Sequence, residues 1–258
     1  MRKTVAFVAL FLCLGSPLFA TGGWWDDLYE EKTVPLELIL KNPTSFRGMD
    51  VSFVIQFHQL GNIDNPYFTP FEKENYINFS VWSDSAPLWN KKAYGADYPY
   101  MFIDRITKES HTILTARPYD RFLITGRVES IFRGKPWIEV VGMTRLEGKL
   151  DEPSLIRMVK AYRLKKMRRF DAAASEFSSI TATKLPAHVA ALCAREQGVC
   201  LASANRFGEA LVPLEKAAAV RKDDKELQRV LVFCREKLKK DPVVLVKKDK
   251  EESEGSKR

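Results

Sequence analysis

Residues 168–177 (RRFDAAASEF) and residues 205–214 (NRFGEALVPL) carry the same order of aromatic, small and large apolar side chains. Four aligned pairs share one offset of 37 residues: Phe170 and Phe207, Ala173 and Ala210, Phe177 and Leu214, and Ile180 and Ala217. Within each segment these positions recur at the spacing of one face of an α-helix. Because a helical unit that recurs at a fixed offset stacks on its neighbour, the two segments predict a helical repeat array over residues 153–240.

Each of the two segments follows a stretch that also has helical periodicity. In the first of these stretches, apolar residues fall on two sides of the helix: Leu155, Met158, Val159 and Tyr162 on one side, and Ala161 and Leu164 on the other. A helix that is apolar on two sides has to pack between neighbouring elements. Residues 225–240 (KELQRVLVFCREKLKK) predict a capping helix that ends the array with a solvated side.

This pattern resembles the tetratricopeptide repeat, a helix–turn–helix unit of about 34 residues with an aromatic, an alanine and a bulky residue at fixed positions. Ala161 and Gly198 match the small position at which the two helices of a unit approach closely. The chain departs from the family at Lys160 and Gln197, where a leucine is favoured, and in its longer spacing. The resemblance implies helix pairs that bind another protein.

In that family the first helix of each pair lines the inner surface of the array. The residues that the resemblance assigns to this surface are Leu155, Met158, Tyr162, Lys165, Lys166, Leu192, Arg195, Val199 and Ala202. The surface is apolar at its centre and has three cations along it, which suits an extended or helical protein segment of acidic character. The alternative is that the first domain of the chain covers this surface.

A basic run from Lys165 to Arg169 closes the first predicted helix of the array. Cations at a helix C-terminus stabilise the helix by about 0.3–1 kcal/mol each, because they compensate its dipole. That structural role already accounts for the run. The alternative is a site for a phosphate or a lipid headgroup, and with it a peripheral association with membranes.

Residues 35–147 have the two-residue period of β-strands with one buried face. Four segments alternate clearly and one more weakly: VSFVIQF from Val51, YINFSVW from Tyr76, RFLITGRVES from Arg121, PWIEVVGM from Pro136, and the weaker YPYMFIDRI from Tyr98. Five such strands resemble the OB-fold, a small barrel, and Gly126 stands where that barrel bends sharply. The predicted fold class is therefore α+β, with an OB-like five-stranded β-barrel followed by a TPR-like helical repeat region.

OB-folds often bind single strands or sugars through an aromatic and basic outer face. The candidates for such a face are Tyr76, Trp82, Phe102, Arg127 and Trp137. The strand pattern assigns these residues to both faces of the strands, however, and aromatic side chains of small barrels usually complete the core. Nucleic acid is therefore the less favoured ligand.

Residues 1–20 have the order of a secretory signal, with Arg2 and Lys3 before an apolar run and Ala20 at the predicted cleavage site. Residues 21–34 predict a linker. Residues 241–258 predict a disordered tail, because so charged a segment cannot bury enough apolar surface to become ordered. The chain is thus predicted to be a bacterial protein exported to the periplasm or elsewhere in the cell envelope. Its formal net charge of +8 favours anionic partners.

Beyond the predicted signal, the chain has three cysteines, Cys193, Cys200 and Cys234, all in predicted helices. Helix geometry places Cys193 and Cys200 too far apart to form a disulfide. The three are predicted to be small buried residues, and a disulfide between Cys234 and either of the others is the alternative. No metal-binding spacing, phosphate-binding loop or nucleophile motif is present in the sequence. The sequence therefore predicts no metal, no cofactor and no catalytic activity.

Together these features predict a non-catalytic exported adaptor, in which the repeats hold a protein partner and the barrel docks a second protein or a glycan. Two alternatives stay open: a protein that binds single-stranded nucleic acid, and an envelope protein that binds a glycan or a lipid. The sequence leaves the oligomeric state undetermined.

Overall fold

The computed structural model describes residues 33–63, 65, 67–180 and 184–240. The predicted signal at residues 1–20, most of the predicted linker and the tail from residue 241 onward lie outside the described residues. The predicted fold class is confirmed: the chain is α+β, with a closed five-stranded β-barrel followed by a layer of helices.

The barrel consists of β1 (Asp50–Leu60), β2 (Tyr76–Ser83), β3 (Tyr98–Asp104), β4 (Arg121–Phe132) and β5 (Lys135–Arg145). The strands follow the order β1-β2-β3-β5-β4, and β4 pairs with β1 to close the barrel. β3 and β5 are parallel, and the other neighbouring pairs are antiparallel. Short helices accompany the strands: α1 (Leu36–Lys41), α2 (Pro43–Phe46), α3 (Lys91–Tyr94) and α4 (Lys108–Leu114).

Alternate residues of the strands fill the interior of the barrel, as the two-residue period predicts. Phe53 and Ile55 of β1 and Ile124 of β4 are all fully buried there. The register between β4 and β5 shifts at Gly126, where a Cβ atom would lie 2.7 Å from Cγ2 of Ile138. A side chain does not fit at this irregularity, which explains why a glycine occupies the bend.

The helical layer consists of α5 (Glu152–Lys166), α6 (Phe170–Ile180), α7 (Ala187–Ser203), α8 (Phe207–Val220) and α9 (Lys225–Lys240). Short connections make consecutive helices antiparallel neighbours, and each helix packs on the next along the chain. Asp151 caps α5, because its carboxylate accepts a hydrogen bond from the Ser154 N–H at 2.9 Å. Among the described residues, none of the helices combines the length and the apolar character that a membrane span requires.

Aligned positions of the two similar segments occupy equivalent places in α6 and α8. The buried residues at these positions are Ala173, Phe177 and Ile180 in α6, and Ala210, Leu214 and Ala217 in α8. Gly198 of α7 lies against α8, where a Cβ atom would come within 2.4 Å of Cγ of Leu214. The two helices therefore approach as closely as the small residue at position 198 predicts.

A few residues of the barrel domain belong to the hydrophobic core of the helical layer. Trp82 of β2 and Leu88, which follows β2, belong to the same buried cluster as Met158 of α5. Trp89 stacks on Tyr162 with the two ring centroids 5.9 Å apart. The connection between β2 and β3 thus forms one wall of the helical core, whereas the interior of the barrel is a separate cluster of barrel residues.

A buried ion pair lies at the same junction. Nε and Nη2 of Arg121 donate hydrogen bonds to the two carboxylate oxygens of Asp84 at 2.7 and 2.8 Å. Nη1 of Arg121 donates to the Glu147 carbonyl oxygen at 2.9 Å, and Nε2 of His188 lies 3.2 Å from the Asp84 carbonyl oxygen. These contacts connect β4, the end of β2 and α7, so the barrel and the helices form one packed unit.

Candidate functional site

The barrel covers part of the predicted inner surface of the repeats. Leu155 and Met158 are 6% and 0% exposed and pack in the shared core. Tyr162 is half-buried between Trp89 and Phe177, and this burial raises the pKa of its phenol. The first domain therefore covers the α5 end of the predicted surface, which was the alternative that the sequence left open.

Carboxylates of the chain itself neutralise two of the three cations on that surface. Lys165 pairs with Glu196, which is only 4% exposed. Nη1 of Arg195 lies 2.6 Å from Oε1 of Glu196, and Arg195 also pairs with Glu226. Lys165 and Arg195 consequently hold α5, α7 and α9 together and offer little unpaired charge to an acidic partner, whereas Lys166 is exposed.

The five candidate residues of the barrel all point outward from it. Their predicted distribution over both strand faces was wrong. In β3, which is apolar on both sides, Met101 and Ile103 face the interior and Phe102 faces outward. Phe102 and Trp137 are nevertheless 2% and 0% exposed. Both pack against Phe71 in the connection between β1 and β2, so this connection covers them.

The remaining barrel candidates also make contacts within the chain. Tyr76 is half-buried, with its ring edge-to-face against Phe102. Trp82 is 1% exposed and stacks on Tyr119 with the ring centroids 5.5 Å apart. Arg127 is exposed, and its hydrogen bond to Asp50 at 2.7 Å lowers the pKa of that carboxyl. These five positions do not form an open row of rings on which bases or sugars could stack.

A histidine, a serine and an aspartate that no sequence motif connects meet beside Trp82. Nδ1 of His58 lies 3.1 Å from Oδ2 of Asp97 and 3.2 Å from Oγ of Ser80. In a nucleophilic triad the serine and the carboxylate contact opposite nitrogens of the imidazole ring. Because both contact the same nitrogen here, this arrangement does not activate Ser80 as a nucleophile.

The three cysteines are buried and have free thiols. Burial raises the pKa of Cys193 to about 12 and that of Cys200 to about 11, and it also raises the pKa of Cys234. A thiol rather than a thiolate is therefore the dominant form near neutral pH, and thiolates are the reactive form. The buried positions fit small core residues.

An open groove lies between the C-terminal half of α7, the start of α8 and one side of α9. It has a volume of about 670 Å³ and is lined by Val199, Ala202, Ser203, Asn205, Phe207, Val230, Phe233, Lys237 and Leu238. We call this feature the α9 groove. Its lining is mainly apolar, and it includes Val199 and Ala202 from the predicted inner surface. Leu192, by contrast, is half-buried against the helical core.

Phe233 is the largest exposed apolar residue of the α9 groove, with 46% of its surface exposed. Its ring meets that of Phe207 edge-to-face at 5.8 Å, and Nζ of Lys237 lies 5.5 Å from its centroid. Val232 beside it is 53% exposed. The helix predicted to end the array with a solvated side therefore also exposes large apolar residues. The run VLVF at residues 230–233 was the sequence signal, because a four-residue apolar run covers more than one helix face.

Within the described residues, no group of histidine, cysteine, aspartate and glutamate side chains is arranged to hold a metal ion. The α9 groove has a more apolar lining than the depression along residues 69–76, and it is therefore taken as the candidate binding site. No protein-family model matches the chain, and neither the curated proteins nor the solved structures contain a significant match to it.

Proposed function

We propose that the protein is an exported, non-catalytic adaptor that holds a short segment of another protein in the α9 groove. The observation that carries this proposal is the exposure of Phe233, an aromatic residue in the lining of an apolar groove. Aromatic residues, phenylalanine among them, are enriched in the cores of protein–protein interfaces. The order of residues 1–20, which is that of a secretory signal, supports the exported location.

The chemistry of the α9 groove favours an apolar segment with a nearby carboxylate. Lys237 is the only charged residue in the lining, and Lys239 and Lys240 follow it as exposed residues. An apolar side chain of the partner would cover Phe233, while a carboxylate would meet the ammonium groups beside it. This keeps the acidic partner predicted from the sequence but moves its site from the α5 end of the layer to the α9 end.

The resemblance to tetratricopeptide repeats supports a protein partner, because stacked helix pairs in that family bind peptides. The strand order of the barrel supports the OB-like interpretation of the first domain. We propose that this domain acts as a scaffold, since its outer aromatic residues are covered and it completes the core of the first helix pair.

A library of short random peptides displayed on phage tests the groove. The full chain without residues 1–20 is used to select binders, and the affinity of the enriched peptides is measured by fluorescence anisotropy. The selected peptides should share one or two large apolar residues next to Asp or Glu. Phe233→Ser should weaken their binding by about 30-fold or more, as expected for a central aromatic contact.

Val212→Ser is the matched control, because Val212 is 72% exposed on α8 and does not line the groove. This variant should leave peptide affinity unchanged. The proposal is overturned if no sequence class is enriched, or if Phe233→Ser and Val212→Ser affect the binding equally.

A further inference from the structure

The turn between α5 and α6 carries exposed positive charge that no carboxylate of the described residues neutralises. Its exposed cations are Arg163, Lys166, Arg168 and Arg169. Nearby cations of α5 do have partners, since Lys160 and Arg157 both pair with Glu176. Within the ranges that the structure describes, no ion pair joins any of the four to a carboxylate. We call this set the basic turn.

The helix dipole explains only part of this charge. Arg163 and Lys166 lie in the last turn of α5, where cations are favourable. Arg168 and Arg169 lie beyond that helix and immediately before α6, whose N-terminal end disfavours cations. Arg168 also adopts a positive φ of 58°, a conformation more easily taken by glycine. The predicted role of the basic run at the end of α5 therefore does not account for Arg169, which lies where the dipole of α6 opposes its charge.

The backbone holds these arginines at the apex of the turn. The N–H of Arg168 donates to the Lys165 carbonyl oxygen, and the N–H of Arg169 donates to that of Leu164, each at 3.0 Å. Met167, between the two helices, is 58% exposed. An apolar side chain is therefore presented to solvent in the middle of four cations.

We propose that the basic turn binds the surface of an anionic phospholipid membrane. Lipid phosphates provide the missing counter-charges, and Met167 can enter the boundary between the headgroups and the acyl chains. Nucleic acid fits less well, because the basic turn contains no exposed aromatic ring on which a base could stack. The turn between α7 and α8 lies beside the basic turn, because Nη1 of Arg206 is 2.9 Å from Oδ1 of Asp171 at the start of α6.

Co-sedimentation with vesicles tests this inference on the chain without residues 1–20. Vesicles of phosphatidylcholine mixed with phosphatidylglycerol are compared with vesicles of phosphatidylcholine alone. The protein should bind the first at low salt, and 1 M NaCl should release it, because the Debye length then falls to about 3 Å. Binding should be weakened by about fivefold for each cation removed, and by several hundred-fold for Gln substitutions at all four positions.

The matched control removes the same amount of charge elsewhere. Lys216, Lys222, Lys225 and Arg229 are exposed residues of α8, α9 and their connection, which lies at the opposite end of the antiparallel helices from the basic turn. Replacing these four by Gln should weaken vesicle binding by less than about tenfold, through net charge alone. Circular dichroism establishes that each variant is folded.

A second variant separates insertion from charge. Met167→Ser keeps all four cations and should weaken vesicle binding by about fivefold, without changing its salt dependence. The inference is overturned if the basic-turn and control variants lose the same affinity, if neutral vesicles bind equally well, or if single-stranded DNA binds at least as tightly as the anionic vesicles at equal salt. Phe233→Ser should not affect vesicle binding, so this result is independent of the α9 groove.

Discussion

Replacing Gly198 with alanine tests whether the close approach of α7 and α8 stabilises the helical layer. The new Cβ atom would lie 2.4 Å from Cγ of Leu214 and 3.1 Å from the Ala210 carbonyl oxygen. Leu214 is fully buried and the carbonyl belongs to a helix backbone, so neither can move away without disturbing the core. Overpacking of this kind costs about 1–3 kcal/mol, while the higher helix propensity of alanine contributes about 1 kcal/mol in the opposite direction.

Because a contact of 2.4 Å to a buried side chain falls well inside van der Waals distance, the upper part of the overpacking cost applies. We therefore expect Gly198→Ala to lower the free energy of unfolding by about 1–2 kcal/mol, measured by urea denaturation. Gly208→Ala is the matched control, because the nearest atom to a Cβ atom there is Cδ2 of Leu238 at 3.9 Å. This control has room for the methyl group, and should leave the free energy of unfolding unchanged or raise it by up to about 1 kcal/mol.

A double variant identifies the clash as the cause. Leu214→Ala alone leaves a cavity and should cost about 2–5 kcal/mol. When it is combined with Gly198→Ala, the new methyl group enters that space, and the total loss should fall short of the sum by about 1 kcal/mol or more. Strictly additive losses, or a Gly198→Ala variant as stable as the wild type, would refute the reasoning.

Three further predictions concern the rest of the molecule. The N–H of Leu227 donates a hydrogen bond to the Asp224 carboxylate at 3.0 Å, and this bond lowers the pKa of Asp224 although burial raises it. The ionised carboxylate therefore stabilises the fold above about pH 4, and this stabilisation is lost as the pH falls through the lowered pKa. Acid titration of the urea midpoint should show a smaller loss in Asp224→Asn, and an equal loss in both proteins would contradict this. Native protein at pH 8 should react with iodoacetamide at Cys193 and Cys200 far more slowly than urea-unfolded protein, as peptide mass mapping would show, and similar rates would mean that these thiols are accessible. Residues 1–30 fused to alkaline phosphatase should give activity in a bacterial host, and an inactive but intact fusion would exclude export by this segment.

The regular elements of both domains could be predicted because they depend on local periodicity. The offset of 37 residues between Phe170 and Phe207 located α6 and α8, and both aligned alanines lie in the core. A buried position in a repeated helix requires a small or apolar residue at that position. The repeat can therefore be detected in a single sequence. The strand β3 was more difficult, because its two sides are both apolar and alternation no longer distinguishes inside from outside.

The accessibility of the candidate sites could not be predicted in the same way. Trp89 is 73 residues from its stacking partner Tyr162, and no periodic signal relates positions so far apart. The neutralisation of Arg195 by Glu226 likewise depends on how α7 and α9 pack. The residues of a binding surface can thus be identified from a repeat pattern, whereas the contacts that occupy them depend on the whole fold.

The core that the barrel shares with the helices sets the geometry of any complex the protein forms. Trp82 in the helical core and the contact between His188 of α7 and the Asp84 carbonyl oxygen oppose rotation of the two domains about the connection near residue 150. A ligand bound at one end of the molecule is consequently held at a constant distance and angle from one bound at the other. The protein would then act as a rigid spacer, selecting its partners partly by the separation that they can accommodate.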